Sequence, residues 1–423
     1  MTDTDARASE LADEVQSGEL RLYELESHAD AETAAAARRE LLRRETDADP
    51  DAIGDYTFDA TDAEPNVENM VGATQLPMGV AGPLAVHGDA ADDDFYLPLA
   101  TTEGALVASV NRGCSAITAA GGANARVTKR GMTRAPVFRV ADVTEGAEVA
   151  EWVQEHEDEL ATAAESTTSH GKLLDVEPYV VGDNVYLRFR YDTKDAMGMN
   201  MATIATGEAA ELVESETPAE LVALSGNLCT DKKPAAINAV EGRGRTVTAD
   251  VRIPRETVEE RFNTTPEAIE EANTRKNLVG SAKAGSLGFN AHAANVVAAV
   301  FLATGQDAAQ VVEGSNAITT VEARDGVRTS DASSGSADES AGELYASVNL
   351  ASLEVGTVGG GTKLPTQAEG LDVLGFRGGG DPAGSNADAL AEVIAAGALA
   401  GELSLLAALA SRHLSSAHAE LGR

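Results

Sequence analysis

The run Asp231-Lys232-Lys233-Pro234-Ala235-Ala236-Ile237-Asn238 sets two ammonium groups beside a carboxylate at the edge of an apolar stretch. Only eight of the 32 basic residues in the chain are lysines. Lysine is a compact, mobile cation whose pKa responds to burial, whereas arginine is a fixed planar fork. A chain that avoids lysine and still writes two side by side needs an ammonium there. The chemistry that uses one is the holding of an oxyanion or a carboxylate.

Four more stretches carry residue types suited to chemistry: Thr101-Thr102-Glu103-Gly104, Gly305-Gln306-Asp307-Ala308-Ala309, Asp195-Ala196-Met197-Gly198-Met199-Asn200 and Gly356-Thr357-Val358-Gly359-Gly360-Gly361-Thr362. Each also has an ordinary structural reading. Glu103 suits a first helical turn, where the helix dipole favours it. Asp307 suits an N-cap. Asn295, within the apolar run 291–303, is either a satisfied core amide or a ligand-facing one, because an unpartnered buried amide costs about 1–3 kcal/mol. His418, near the terminus, is by default a terminal histidine. The glycines 359–361 either bring backbone N–H groups to a phosphate or flat ring, or simply make a turn. No GxGxxG follows a strand and no GxxxxGK[ST] occurs, so neither a Rossmann site nor a P-loop is supported.

The elements that must position these residues follow from patterning. At 423 residues, 43% of them hydrophobic, the chain is long enough for two or three domains with real cores. Aromatics are only 4%, so Ala, Val and Leu must fill those cores. Residues 8–45 read as helical and 46–65 as an acidic linker, followed by a Gly-rich block at 70–83. A strand at 95–99 and a helix at 104–111 come next. From 136 the character changes: strands at 136–140 and 184–191, with an acidic amphipathic helix near 143–164 between them and another at 202–214. This rhythm reads as a small α+β domain set into a larger one. Later come a helix at 291–303 ended by Gly305, a polar loop at 324–343, and a helix at 389–412 with Gly397 and Gly401 four apart.

The net charge of −37 would repel nucleic acid and anionic membranes. Acid excess with little lysine resembles proteins of salt-loving archaea, in whose molar salt a Debye length of about 3 Å screens self-repulsion. Two cysteines, Cys114 and Cys229, make no disulfide framework, and no metal-ligand cluster is present. The acidic start is no signal peptide. The longest apolar runs, such as 296–303, fall short of the about 20 residues a bilayer needs. A cytoplasmic protein is expected.

Together these stretches resemble one family, 3-hydroxy-3-methylglutaryl-CoA (HMG-CoA) reductase. Glu68-Asn69-Met70-Val71-Gly72, the Thr-Thr-Glu-Gly block, and segments 225–238, 277–286, 290–295, 305–309 and 356–362 all look like family blocks. The resemblance spans roughly residues 66–420. Asp-Ala-Met-Gly-Met-Asn and Gly-Thr-Val-Gly-Gly-Gly-Thr are similar to the class I branch of eukaryotes and archaea. Neither the membrane anchor nor the phosphorylated serine of animal members is expected.

The resemblance implies an α+β fold. A helical N-terminal region, 1–70, would precede a large α/β substrate domain, 71–135 and 225–423, with a small ferredoxin-like coenzyme domain, 136–224, inserted. It implies homodimers or homotetramers with shared active sites, and NADPH as coenzyme. It also implies roles. Lys232 would hold the oxyanion, Asp307 would tune it and Glu103, and Glu103 would serve as general acid. His418 would protonate the departing CoA thiolate. Substrate and CoA contacts would fall on Ser109, Asn111, Arg112, Arg134, Ser225, Asp231, Lys233, Lys276 and Asn295. Coenzyme contacts would fall on Asp195, Met197, Gly198, Met199, Asn200, Val358, Gly359 and Gly360. Animal members read the 2′-phosphate of NADPH with an arginine in a stretch resembling 166–173. Here that stretch is Ser-Thr-Thr-Ser-His-Gly-Lys-Leu, so His170 or Lys172 must substitute.

Two other readings stand beside this one. Another CoA-thioester oxidoreductase or lyase would use Glu, Lys and His in the same roles. A non-catalytic acidic binding protein would place its lysines at random, yet two of eight are adjacent and Lys276 and Lys283 flank another Gly/Ser block.

Overall fold

The computed structural model describes residues 3–46, 48–325 and 342–411. In chain order its strands are β1 Met78–His87, β2 Asp92–Ala100, β3 Ala123–Arg134, β4 Val137–Arg139, β5 Lys172–Val181, β6 Asn184–Asp192, β7 Glu220–Ala223, β8 Gly244–Pro254, β9 Ala317–Arg324 and β10 Glu343–Leu353. Helices fill the spaces between them, giving a mixed α+β architecture built on one large sheet.

The larger core forms where alternation meets small residues. Val247, Ala249, Val251 and Ile253 of β8 point one way, as do Leu344, Ala346, Val348 and Leu350 of β10, and all are buried. Against them packs the helix Ser385–Ala410. It comes close because its contacts are glycines. A Cβ on Gly113, in the helix Leu106–Ala119, would lie 2.0 Å from the Ala400 carbonyl oxygen. A Cβ on Gly397 would lie 2.3 Å from Leu97, and one on Gly401 would lie 2.8 Å from Val296. That explains the two glycines four apart.

Ser385–Ala410 is long and apolar enough to cross a membrane, contrary to the expectation that no such run exists. Yet 78% of its most apolar window is buried inside the protein. Asp388, Glu392 and Glu402 on it are buried too, each hydrogen-bonded within the chain. It is a core helix.

A second core gathers Met132, Phe138, Val149, Leu160, Leu187, Phe189, Ala202 and Val213. Its elements run β4, helices Val143–Glu155 and Glu157–Glu165, β5, β6, helix Met199–Glu216, β7. The strands lie in the order β5-β6-β4-β7, every neighbour antiparallel. Strand β3 joins the two cores: its start pairs with β8, and Met132–Arg134 pair with β6. Met132 is already in the second core, so the passage between cores falls inside a strand.

Several expectations change. The helix read at 8–45 breaks at Gly18 (φ +81°) into Asp3–Ser17, a 3-10 turn Leu22–Ser27, and Ala31–Glu45. The acidic linker contains one-turn helices Asp51–Gly54 and Ala60–Ala63. The Gly-rich block is half strand: β1 was hidden because Gly79 and Gly82 interrupt its apolar alternation. The polar loop at 324–343 lies mostly outside the described residues.

Candidate active site

Lys232 sits in the loop between β7 and the helix Ala236–Glu241. Three non-glycine residues of that loop have left-handed backbones: Asn227 (φ 64°), Thr230 (φ 51°) and Lys232 (φ 58°). Such conformations cost roughly 1–2 kcal/mol each and persist only when surroundings hold them. The surroundings do so. The Lys232 N–H donates to Glu313 Oε1 at 2.5 Å. Asp231 Oδ1 accepts from Arg243 Nη2 (3.0 Å) and Gln310 Nε2 (2.8 Å).

The Lys232 ammonium then meets Asp307, Nζ to Oδ2 2.8 Å. The hydrogen bond to Asp307 raises the Lys232 pKa above its ordinary value, so the ammonium stays charged. Asp307 is also the cap expected of it: its Oδ1 accepts from the Ala309 N–H at 3.0 Å. Burial pushes the Asp231 carboxyl up, but the Gln310 hydrogen bond and the charges of Arg243, Lys232 and Arg134 outweigh it and hold Asp231 low.

Asp307 lines a cavity of about 630 Å³. Its walls are Ala196, Met197, Gly198, Met199, Asn200 and Met201 on one side, and Gly305, Gln306, Gly356, Val358, Gly359, Gly360, Gly361 and Thr362 on the other, with Asn66 from the N-terminal region. Glycine is needed where the walls touch: a Cβ on Gly305 would lie 2.3 Å from the Gly361 oxygen, and one on Gly198 (φ 89°) 2.2 Å from Thr193. Gly359 and Gly360 face open space with left-handed backbones, leaving bare peptide toward the cavity. Asp195 is different. Its carboxylate accepts from the N–H groups of Gly380, Gly384 and Ala387, and it is 5% exposed. It fastens the start of the helix Ser385–Ala410 and presents no side chain to the cavity.

Glu103 lies elsewhere. It is exposed and precedes the helix, which begins at Leu106 after Ala105 turns left-handed (φ 68°). The first-turn position expected for it is therefore not occupied; its N–H donates to Thr101 Oγ1. Glu103 and Asn295 line a separate cavity of about 230 Å³ with Thr101, Thr102 and Leu302. The helix Ala293–Thr304 links the two: Asn295, Ala298 and Leu302 face the smaller cavity, and Gly305–Asp307 at its end face the larger.

Of the remaining expected residues, Arg134 donates to Thr203 Oγ1 from Nε (3.0 Å) and Nη2 (2.6 Å), against the helix Met199–Glu216 that walls the larger cavity. Lys233 Nζ turns back to the Asp231 carbonyl (3.0 Å). Ser225 is exposed, its Oγ 3.8 Å from Cys229 Sγ. Ser109 and Arg112 both bond Ser404, so they tie two helices together, and Asn111 Oδ1 accepts from the Gly82 N–H. Lys276 is exposed on a π-helical stretch, Asn273–Gly280. His418 lies outside the described residues. His170 and Lys172 are exposed, and between them Gly171 presses on Met201 of the cavity wall, where a Cβ would sit 2.4 Å from the sulfur. Among the described residues no group of three His, Cys, Asp or Glu could hold a metal.

Sequence reasoning missed Gln306, Arg243, Glu313, Glu354 and His292. Gln306 Oε1 accepts from the Gly356 N–H and ties together the two glycine segments of that wall. His292 accepts at Nδ1 from Asn295 (3.4 Å) while its Nε2 faces the Gly401 carbonyl. Gln306 and His292 lie inside stretches already marked, 305–309 and 290–295, and Arg243 stands between Gly242 and Gly244; Glu313 and Glu354 carried no signal.

An ammonium fixed against a carboxylate that lines a cavity of methionine and bare glycine backbone is an arrangement suited to an α+β enzyme. The hydroxymethylglutaryl-coenzyme A reductase family model matches residues 34–423, and the chain belongs to that family; it is an oxidoreductase. It is 79% identical over 417 residues to the 3-hydroxy-3-methylglutaryl-coenzyme A reductase of Halobacterium salinarum, covering 98% of this chain and 99% of that one. It is 70% identical to that of Haloferax volcanii, with 98% and 99% covered. The fold also resembles the class II reductase of Streptococcus pneumoniae bound to NADPH in open conformations, at TM-score 0.65 and 22% identity, covering 88% and 96%.

Proposed function

We propose that the chain reduces (S)-HMG-CoA to mevalonate and free CoA, a four-electron reduction using two NADPH. The observation that carries this reading is the ion pair between Lys232 and Asp307, whose carboxylate lines the 630 Å³ cavity. The walls fit a nicotinamide. Methionine thioethers supply apolar, polarizable contact, and the bare backbone at Gly359 and Gly360 lets a flat ring approach. His170 and Lys172, one residue either side of the Gly171–Met201 contact, suit the 2′-phosphate. NADPH bound there supplies the reducing equivalents.

The chain's own residues do the rest. Lys232 Nζ meets the oxyanion that forms on the thioester carbon and again on the aldehyde carbon. Asp307 keeps that ammonium charged and aimed. Arg134 and Lys233 suit the free carboxylate of the substrate. Glu103 serves as general acid at the aldehyde step, and His418 protonates the departing thiolate. Because Glu103 lines the smaller cavity of one chain and Asp307, the partner of Lys232, the larger, the reading includes a site completed when Glu103 and Lys232 are brought together around the bound substrate, in a homodimer or homotetramer with shared active sites.

We also assign the chain to class I on its Asp-Ala-Met-Gly-Met-Asn and Gly-Thr-Val-Gly-Gly-Gly-Thr motifs, and to the cytoplasm. We read residues 1–70, 71–135 with 225–423, and 136–224 as the N-terminal, substrate and inserted coenzyme domains. The strand–helix–strand–strand–helix–strand order of β4 to β7 supports a ferredoxin-like insert.

The test is coenzyme oxidation with HMG-CoA in molar KCl, counted against thiol released. Two coenzymes per thiol is expected. One per thiol would make the enzyme an aldehyde-forming reductase, and none would end the reading. For His418, the variant His418→Gln should be slow with HMG-CoA and near normal with mevaldehyde, from which no thiolate leaves. Equal losses on both would move that role elsewhere.

A further inference from the structure

Behind Lys232 lies a charge cluster cut off from water. The side chains of Arg243, Glu313 and Glu354 are all 0% exposed. Arg243 Nη1 reaches both oxygens of Glu313 (3.0 and 3.2 Å) and Glu354 Oε1 (3.4 Å). Its Nη2 donates to Asp231 Oδ1 and lies 2.8 Å from Met199 Sδ. Glu313 in turn accepts from the Lys232 N–H (2.5 Å) and from Asn238 Nδ2 (2.8 Å). One guanidinium thus fastens the lysine loop, the Glu313 turn and the methionine wall of the cavity.

Stability alone gives little reason for such a cluster, because a buried ion pair rarely outdoes well-packed apolar side chains. Three carboxylates, two of them fully buried, also share one guanidinium. Burial, with the negative charge of Glu313 next in weight, pushes Glu354 well above the usual carboxylate range. Glu313 Oε1, which also faces Arg243, is the oxygen that takes the Lys232 amide. Lys232 has a left-handed backbone, which a residue with a Cβ adopts only when held.

We propose that Glu313 is a positioning residue for Lys232. By accepting its amide, Glu313 keeps Lys232 in the left-handed conformation that aims Nζ at Asp307, and Arg243 holds Glu313 in place while tying it to Met199. This deepens the oxyanion reading of Lys232 and rests on it. Without Glu313 the Lys232 backbone is free to return to negative φ, and the ammonium swings from its position.

Glu313→Ala should still fold, because Glu354 and Asp231 still pair with Arg243. Turnover should fall about tenfold to a hundredfold, the scale of misplacing a reacting group by an ångström, while KM for HMG-CoA changes much less. Glu313→Gln, whose amide oxygen can still accept, should recover most of the loss. The deciding measurement is the double variant Glu313→Ala/Lys232→Ala. It should be no slower than Lys232→Ala alone, since Glu313 acts only through Lys232. Multiplied losses, or a Glu313→Ala with normal turnover, overturn the proposal. A Lys232→Ala with normal turnover instead sinks the oxyanion reading. If Glu313→Ala does not fold, Glu313→Leu, which fills the space but cannot accept the Lys232 amide, enters the same cycle; a Glu313→Leu with normal turnover, or with losses that multiply those of Lys232→Ala, also overturns the proposal.

Discussion

Lys232 Nζ stands 2.8 Å from Asp307 Oδ2, and the other oxygen of that carboxylate is already taken by the Ala309 N–H. The capping bond orients Asp307 independently of the lysine. The pair is therefore set before substrate arrives, which is the condition for an ammonium to favour a transition state over a ground state.

Lys232→Ala should lower turnover by about 10²–10³, the usual worth of one oxyanion donor, with a smaller effect on KM. Asp307→Asn should be comparably severe, and the double variant should lose little more than either single one. A Lys232→Ala enzyme with normal turnover and only a raised KM would make Lys232 a binding residue.

The pH dependence has a definite sign. The Lys232 pKa is raised, chiefly by Asp307, so the ammonium is present below its ordinary value of 10.5 and is lost only above the raised one. Lys232 therefore adds no alkaline limb between pH 7 and 10. A limb near pH 8 that disappears in Lys232→Arg would contradict this.

Glu354 titrates in the opposite sense to a salt-bridged carboxyl. Its folded pKa is raised, so the folded chain binds the extra proton. Stability from this group is full below the ordinary glutamate value of about 4.3 and falls as pH rises through the window up to the raised value. Glu354→Gln, which mimics the protonated acid, should be at least as stable as the parent at neutral pH. It should also gain less on acidification from pH 7 to 5. Denaturant melts at both pH values, in molar salt, would show it; a variant clearly less stable at pH 7 and unchanged in pH slope would refute the assignment.

Gly113→Ala should destabilise the larger core by about 1–3 kcal/mol, because its methyl would lie 2.0 Å from the Ala400 oxygen and the two helices must part. The urea midpoint in 2 M KCl should drop. No drop would mean that the helices separate at no cost.

With a net charge of −37, the fold should need salt. Between about 0.1 and 2 M KCl the Debye length falls from about 10 Å to less than about 3 Å, screening most surface repulsion. The melting temperature should rise steeply across that range, and a flat response would argue against a charge-limited fold.

Much of this protein was determined by the sequence alone. The scarcity of lysine marked the Lys232–Lys233 site, the short motifs marked the family, and 3.6-residue and two-residue apolar periods marked helices such as Ala293–Thr304 and strands such as β6. Those signals are local: composition and periodicity record which face of one element is buried. Tertiary structure decided what depends on chain segments meeting. It chose Lys232 over Lys233, since only Lys232 reaches Asp307 while Lys233 bends back to its own loop. It spent the Asp195 carboxylate on three backbone N–H groups rather than on the cavity. It put Glu103 and Asp307, the partner of Lys232, into two cavities along one helix. It also buried Arg243 with Glu313 and Glu354, residues that any surface could carry. A carboxylate's partner is set by distances across the packed fold, and no spacing along the chain encodes those distances.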